Sequence, residues 1–141
     1  MIRKMSFKML ALVAVIGLML CAGAMAEEVT IVASGECGAD SANVTWELDS
    51  EGTLTISGTR TMKNYVYYSS VPWYSNRESI QSVVIENGVT SIGDYAFSGC
   101  SSLTSISIPD GVTSIGDSAF SGCSSLTSIS IPDGVTSIGG S

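Results

Sequence analysis

The sequence predicts a mainly β solenoid with short helical turns, preceded by a small β-hairpin cap, on two observations. A segment of 23 residues is written twice in full, at residues 78–100 and 101–123, and an incomplete third copy occupies residues 124–141. Within each copy the apolar residues lack helical spacing and are interrupted by turn residues. A period in this range is typical of solenoids, in which each repeat is one coil that buries its apolar residues against its neighbours.

The first 26 residues are predicted to be a signal peptide. Three basic residues within the first eight positions precede an uncharged apolar run at residues 9–20, which is too short to span a membrane. The sequence Ala-Met-Ala at residues 24–26 matches a signal peptidase site, so we expect cleavage after Ala26 and a secreted or cell-surface protein. The alternative is lipidation at Cys21, where Leu20 replaces the small residue that a lipoprotein signal carries.

Residues 27–77 lack the repeat and are predicted to form a β cap. Val29–Val32 reads as one short strand, and Asn43–Leu48 alternates apolar and polar residues as a second. A turn at residues 49–52 leads into a return strand at Thr53–Ser57, which completes a hairpin. Because the end of a solenoid exposes apolar side chains and unpaired backbone, it needs such a cap.

Each coil of the repeat region, residues 78–141, is predicted to hold two extended passes separated by turns. In the second copy Pro109-Asp110-Gly111 forms a turn, since proline presets φ and glycine accepts positive φ. Asp133 fits the same turn in the third copy. Asp94 and Asp117, at the second corner of the first and second copies, are predicted to cap a short helical turn.

The apolar residues of each coil are predicted to face a shared interior. In the first coil the inward set is Ile80, Val83, Ile85, Val89, Ile92, Ala96, Phe97 and Cys100. Stacking at the strand spacing of about 4.8 Å would place Ile85, Ile108 and Ile131 in one column. Phe97 and Phe120 would form another column.

The repeat resembles the BspA-like subgroup of leucine-rich repeat proteins. The matching motif is L-x-x-I-x-I-P-x-G-V-T-S-I-G-D-x-A-F-S-G-C at Leu103–Cys123, and it recurs upstream with Ile80 for leucine and Glu86 for proline. The preceding segment also looks like the leader that often precedes such repeats. The resemblance implies a leucine-rich-repeat β-solenoid and a bacterial or protist protein, secreted or surface-displayed, of a family with members implicated in adhesion to host matrix or other microbes.

Three cysteines remain after the predicted cleavage. Cys100 and Cys123 occupy the same repeat position, so we predict two stacked thiols that pack as small apolar side chains. Adjacent coils also bring two such residues within disulfide distance, so a bridge in an oxidising compartment is the alternative. Cys37 lies in a Gly-rich turn and has no evident partner.

Composition argues against an enzyme, a cofactor and a nucleic-acid partner. The chain has no histidine, which removes the commonest general base and most zinc sites. The formal net charge of the chain is −7, and only Arg60, Lys63 and Arg77 remain basic after cleavage. The chain therefore lacks the basic surface that binding of a nucleic-acid phosphate backbone requires. We therefore predict no catalytic residues, no cofactor and no metal, with calcium at stacked aspartates as a minor alternative.

The leading functional hypothesis is a non-enzymatic binding or adhesion module whose solenoid face contacts an extracellular protein or host matrix. The predicted binding face comprises Gln81, Ser82, Val84, Thr104, Ser105, Ser107, Thr127, Ser128 and Ser130. Such an uncharged strip favours weak contacts that are strengthened by adding coils. Self-association through the uncapped C-terminal coil is also expected, since the third copy lacks the final A-F-S-G-C.

The aromatic residues of the leader suggest a second hypothesis, carbohydrate binding. Five of them lie within ten residues: Tyr65, Tyr67, Tyr68, Trp73 and Tyr74. Flat rings can stack on the faces of sugars, which favours a possible glycan contact. The alternative is that Trp46, Trp73 and some of the tyrosines pack over the first coil and close its core.

Overall fold

The structure, a computed structural model, describes residues 28–40 and 42–141. Ile31–Ser141 is one compact unit. In the part of the chain that the structure describes, no helix is long and apolar enough to cross a membrane. The predicted signal peptide and its cleavage site lie outside the described residues, so both stay predictions.

Three antiparallel strands open the unit. They are β1 (Ile31–Glu36), β2 (Asn43–Asp49) and β3 (Thr53–Thr61). The predicted β2–β3 hairpin is confirmed, and Asp49 Oδ1 closes its turn by accepting the backbone N–H groups of Glu51 and Thr53, both at 2.9 Å. The prediction of a strand at Val29–Val32 is wrong in its bounds, because pairing with β2 begins opposite Asp49 at Ile31.

The repeats add two parallel ladders to β3. The first coil contains β4 (Ser82–Ile85) and β5 (Val89–Ile92), the second β6 (Ser105–Ser107) and β7 (Ser114–Ile115), and the third β8 (Ser137–Ile138). One ladder runs β3-β4-β6 and the other β3-β5-β7-β8. Equivalent repeat positions pair in register, as Ile92 does with Ile115 and Ile115 with Ile138. Each 23-residue repeat is therefore one turn of a mainly β solenoid, which confirms the predicted fold class.

The leader stacks on the repeats as an irregular additional coil. Residues 53–56 of β3 pair with β4, and residues 60–61 pair with β5. Between them Gly58 has a φ of 124°, a conformation that favours glycine, and a Cβ there would collide with the carbonyl of Asn43. Two short 3-10 helices, Tyr68–Ser70 and Tyr74–Ser79, then return the chain to the first coil. The cap is thus joined to the repeats through the same parallel pairing that joins the coils.

The second corner of each coil is a tight turn with helical hydrogen bonds. The backbone N–H of Cys100 donates to the carbonyl of Phe97 at 3.1 Å, an i to i−3 bond of the 3-10 kind. The prediction that Asp94 and Asp117 cap these turns is wrong. Asp94 Oδ1 accepts the backbone N–H of Asp117 at 2.7 Å, and Asp117 Oδ1 accepts that of Gly140 at 2.9 Å. Each carboxylate satisfies a donor of the next coil, since stacking brings that donor closer than any within its own turn.

The core runs from the cap into the second coil. All eight inward residues predicted for the first coil are buried. Phe97 stacks on Phe120 with ring centroids 5.6 Å apart, which confirms that column, and Trp73 extends it into the leader at 5.9 Å from Phe97. The isoleucine column is buried only at its start, because Ile131 in the third coil is 38% exposed.

Candidate functional site

The predicted binding face lies on the solvent side of the β3-β4-β6 ladder. Side chains alternate across each strand, so Ser82 and Val84 on β4 point away from the core, as do Ser105 and Ser107 on β6. In-register pairing sets Ser82 beside Ser105 and Val84 beside Ser107. The structure brings these four side chains together in two rows.

The other predicted face residues are exposed, but not all belong to the ladder. Gln81 and Thr104 begin the same passes, and both the backbone N–H and the hydroxyl of Thr104 donate to the carbonyl of Gln81, at 2.9 and 3.1 Å. Thr127, Ser128 and Ser130 of the third coil are exposed and lie outside any strand. An ordered face therefore spans the first and second coils.

This face continues onto the cap, which the sequence prediction missed. Thr53 pairs with Ser82 and Thr55 with Val84, and Ser82 Oγ donates to Thr53 Oγ1 at 3.3 Å. One strand further, Glu47 pairs with Thr55. The signal was present in the alternation of the segment TLTI at residues 53–56, whose threonines must face solvent if its leucine and isoleucine face the core.

The side chains of the face are mostly hydroxyls, and the acidic ones belong to the cap. Such a surface can donate and accept hydrogen bonds, and the chain has no histidine that could act as a general base for its hydroxyls. Among the described residues, no three His, Cys, Asp or Glu side chains are grouped so that they could hold a metal ion. The arrangement suits contact with an extended surface.

A groove of about 380 Å³ follows the second ladder. Ser91, Ser114 and Ser137 line it from one repeat position, and Asp94 and Asp117 from another. Both carboxylates already accept a backbone N–H group of the next coil, which gives these aspartates a structural role. The stacked acids that suggested calcium are thus explained as rungs of a hydrogen-bond ladder.

Two of the five aromatic residues predicted as glycan contacts are core residues. Trp73 is fully buried and Tyr65 nearly so. Trp73 Nε1 donates to the carbonyl of Ala96 at 2.8 Å, and its ring packs edge-on against Trp46 at 5.5 Å and Tyr65 at 6.4 Å. For Tyr65 and Trp73 the carbohydrate interpretation is wrong, because both rings are needed to cover the apolar interior of the first coil.

The remaining three aromatic residues lie at the surface. Tyr67 and Tyr68 are 67% and 51% exposed, and Tyr74 is half-buried. The Tyr68 and Tyr74 rings meet at a centroid distance of 5.5 Å, and the Arg77 guanidinium lies 4.1 Å from the centroid of the Tyr74 ring. The structure divides the aromatic segment into a buried pair and a surface cluster, a division that no periodicity in the sequence indicates.

The cysteines of the described chain are free thiols. Cys100 is buried, and half-buried Cys123 donates from Sγ to the carbonyl of Phe97 at 3.2 Å. Burial raises the pKa of Cys37 and of Cys100 to about 12, and it also raises the pKa of Cys123. Because the thiolate is the reactive form, these groups pack as small apolar side chains and are poor nucleophiles at neutral pH.

Comparison with known proteins points to one family. The model of the BspA type leucine-rich repeat region matches residues 57–141 in six copies. The match begins inside β3. The repeat is recognisable in the sequence only from residue 78 onward. The earlier start of the match agrees with the pairing of β3 to the first coil. No curated protein matches the chain.

Solved structures of leucine-rich repeat proteins are similar to this chain. A leucine-rich repeat protein from Eubacterium ventriosum is 36% identical with a TM-score of 0.66, over 75% of this chain and 28% of that one. A leucine-rich repeat protein of T. pallidum is 23% identical with a TM-score of 0.49, over 74% and 54%. A leucine rich cell surface protein from Faecalibacterium prausnitzii is 28% identical with a TM-score of 0.46, over 74% and 32%. The chain spans between about a quarter and just over half of the length of these proteins.

Proposed function

We propose that this chain, which belongs to the BspA-type leucine-rich repeat family, is a secreted or cell-surface adhesion module. Leucine-rich repeat families are generally non-enzymatic binding modules, and this one supplies repeat modules to bacterial surface proteins. In the proposal the solvent side of the β3-β4-β6 ladder contacts an extracellular protein or host-matrix ligand. The predicted signal peptide supports export.

The observation that carries the proposal is the continuous hydroxyl-rich face. In-register pairing joins Thr53, Ser82 and Ser105 in one row and Thr55, Val84 and Ser107 in the next. On β3, β4 and β6 no side chain of these two rows is charged, so a partner is held there by hydrogen bonds and shape. The first and second coils each add a strand to the face, which strengthens binding through repetition.

The same proposal holds the chain to be non-enzymatic and without a cofactor. The aspartates of the second-ladder groove accept backbone N–H groups, which leaves their carboxylates engaged in structure. The buried thiols have raised pKa values, so they do not supply thiolate at neutral pH. Both observations favour a surface that binds.

The test is binding of the folded protein to a panel of immobilised extracellular-matrix proteins, measured by biolayer interferometry. Ser107→Arg places a long charged side chain on β6, the last strand of the face, and we expect at least a tenfold loss of affinity. Ser121→Arg, in an exposed turn of the same coil, is the matched control and should bind as the parent does. Equal loss from both variants, or no parental binding above an albumin control, would refute the proposal.

The outer edge of the third coil is the second contact surface that we propose, for the polypeptide of residues 1–141. β8 pairs with β7 on one side, and Ile131 and Ile138 are 38% and 62% exposed. A partner that covers this edge must offer a β-strand and apolar side chains at the spacing of a coil. A second copy of the same edge meets both needs, so its occupant is another molecule of this chain.

A further inference from the structure

The surface aromatic cluster of the leader is the exposed feature that the face and the core leave unexplained. Tyr67 and Tyr68 present most of their rings to solvent, and Val66 beside them is exposed as well. Elsewhere the surface of the coils is dominated by serine, threonine and turn residues. Exposed aromatic and apolar side chains that follow one another in this way make the segment a candidate binding surface.

The cluster is held in place on one side. The Tyr68 ring meets the Tyr74 ring at 5.5 Å with an interplanar angle of 58°, and the Arg77 guanidinium covers the Tyr74 ring at 4.1 Å. Arg77 also donates from Nη1 to the carbonyl of Tyr74 at 2.9 Å. Tyr68 and Tyr74 belong to the two 3-10 helices, so the rings sit on ordered backbone. Two rings and a cation are therefore presented together.

The sequence segment that contains the cluster has the opposite sign of charge to the rest of the chain. No Asp or Glu occurs from Gly52 to Arg77, whereas Arg60, Lys63 and Arg77, the only basic residues beyond position 8, all fall within that stretch. Glu78 lies 3.7 Å from Arg77, a long and exposed ion pair that holds the guanidinium weakly. Of these basic residues Arg77 is the one that contacts the cluster, and in a protein of net charge −7 its guanidinium favours an anionic ligand.

The size of the cluster favours a small ligand. A fully buried aromatic side chain removes about 150–250 Å² from solvent, so two rings at the exposures of Tyr67 and Tyr68 offer roughly 200–300 Å². A stable protein interface buries about 800 Å² on each partner. One or two sugar rings match the smaller area, because their C–H faces stack on aromatic rings while their hydroxyls stay hydrated.

We propose that Tyr67, Tyr68, Tyr74 and Arg77 form a binding site for an acidic saccharide, that is, one carrying carboxylate or sulfate groups. The tyrosine rings stack on the sugar faces, and the Arg77 guanidinium, which keeps donors free beyond its bond to the Tyr74 carbonyl, pairs with the anionic group. The site is separate from the hydroxyl-rich face, so it stands or falls independently of the proposed adhesion function.

The experiment is isothermal titration of the folded protein with three probes: a heparin-derived hexasaccharide, a hyaluronan hexasaccharide and a neutral cello-hexaose. We expect saturable binding to at least one acidic probe, and binding of cello-hexaose at least tenfold weaker. Tyr68→Ala should weaken the acidic probe at least tenfold, while Tyr68→Phe, which keeps the ring, should retain most of the affinity. Raising the salt concentration from 50 to 500 mM should weaken binding through screening of Arg77.

Matched variants separate this site from general charge attraction. Arg77→Gln removes a cation inside the cluster and should reduce affinity, whereas Arg60→Gln removes the same charge from β3 and should not. Ser107→Arg, which tests the face, should leave saccharide binding unchanged. Circular dichroism of each variant reports whether the fold is kept, and Tyr67→Ala serves as a second exposed-ring variant if Tyr68→Ala unfolds.

Three results would each overturn the proposal. One is the absence of saturable binding to both acidic probes, and another is unchanged affinity in both Tyr67→Ala and Tyr68→Ala. The third is equal binding of an oligodeoxythymidine of similar charge, which would reduce the attraction to simple ion exchange. A loss of matrix-protein binding with intact saccharide binding would count only against the hydroxyl-rich face.

Discussion

The first and third coils carry nearly the same motif but differ in how much of it is buried. Ile92 in the first coil is buried, whereas Ile138, which is linked to it through Ile115 in the same ladder, is 62% exposed. The first coil lies between the leader and the second coil, while the third is covered on one side. An apolar residue of this repeat is therefore buried by the neighbouring coils more than by its own, so stability is unevenly distributed along the stack.

The leader supplies what the third coil lacks. Its β3 pairs with both strands of the first coil, and Trp73 takes the place of a phenylalanine at the head of the aromatic column. Asn64 Oδ1 likewise accepts the backbone N–H of Asp94 at 3.2 Å, the bond that an aspartate makes between later coils. The leader imitates a coil on one side and ends in antiparallel strands on the other.

The largest single loss of stability should appear in the aromatic column, which joins the leader to the first and second coils. Phe97 is fully buried between Trp73 and Phe120, so Phe97→Ala should lower the free energy of unfolding by about 3–5 kcal/mol. Phe120 is half-buried, and Phe120→Ala should cost about half as much. Urea unfolding with matched m-values measures both. Equal losses would mean that the coils do not differ in packing, and the comparison would fail.

Ile92 and Ile138 allow a more direct comparison of the first and third coils, since both are isoleucines at the same repeat position. Ile92→Ala should cost about 2–5 kcal/mol, and Ile138→Ala less than about 0.5 kcal/mol, because little of Ile138 is removed from water.

The same position tests the proposed pairing of third-coil edges. Ile138→Lys should lower the oligomer fraction seen by light scattering at high protein concentration and leave the unfolding midpoint of the dilute protein unchanged. Thr136→Lys, which charges an exposed side chain next to β8, is a useful comparison. A parent protein that remains monomeric at high concentration would contradict the pairing.

A modest effect is expected from the aspartates that accept hydrogen bonds between coils. Asp94→Ala removes the acceptor of the Asp117 N–H group and should cost about 1 kcal/mol. Asp94→Asn keeps an acceptor oxygen and removes one of two stacked negative charges, so its stability should stay near that of the parent, as Asn64 performs the same task in the leader. A cost for Asp94→Asn equal to that of Asp94→Ala would show that the charge, and not the acceptor, is required.

Much of the fold follows from local features of the repeat. The eight inward residues of the first coil could be chosen because each has an apolar side chain at a repeated position, and the structure buries all of them. The role of Asp94 could not be predicted in this way. A short polar residue at the start of a turn can cap that turn, and it can equally accept a hydrogen bond from the next coil. Its acceptor role depends on Asp117, which is 23 residues away in sequence and reaches it only after stacking.

The candidate sites divide in the same manner. The outward positions of β4 and β6 followed from the alternation of side chains along a strand, but their continuation to Thr53 and Thr55 needed the parallel pairing of β3. Among the leader aromatics, composition cannot separate Trp73 from Tyr68. Packing separates them, because Trp73 has a hydrogen-bond partner in the first coil and Tyr68 points to solvent.

The sequence by itself determined that 23-residue coils stack in register with a polar outside and an apolar inside, since period and side-chain alternation are properties of the chain. The tertiary structure alone decided that the leader joins the first coil by parallel pairing, that burial fades toward the third coil, and which aromatic rings remain at the surface. The physical reason is that water is excluded from a side chain by whatever packs against it, and in this fold that is usually another coil.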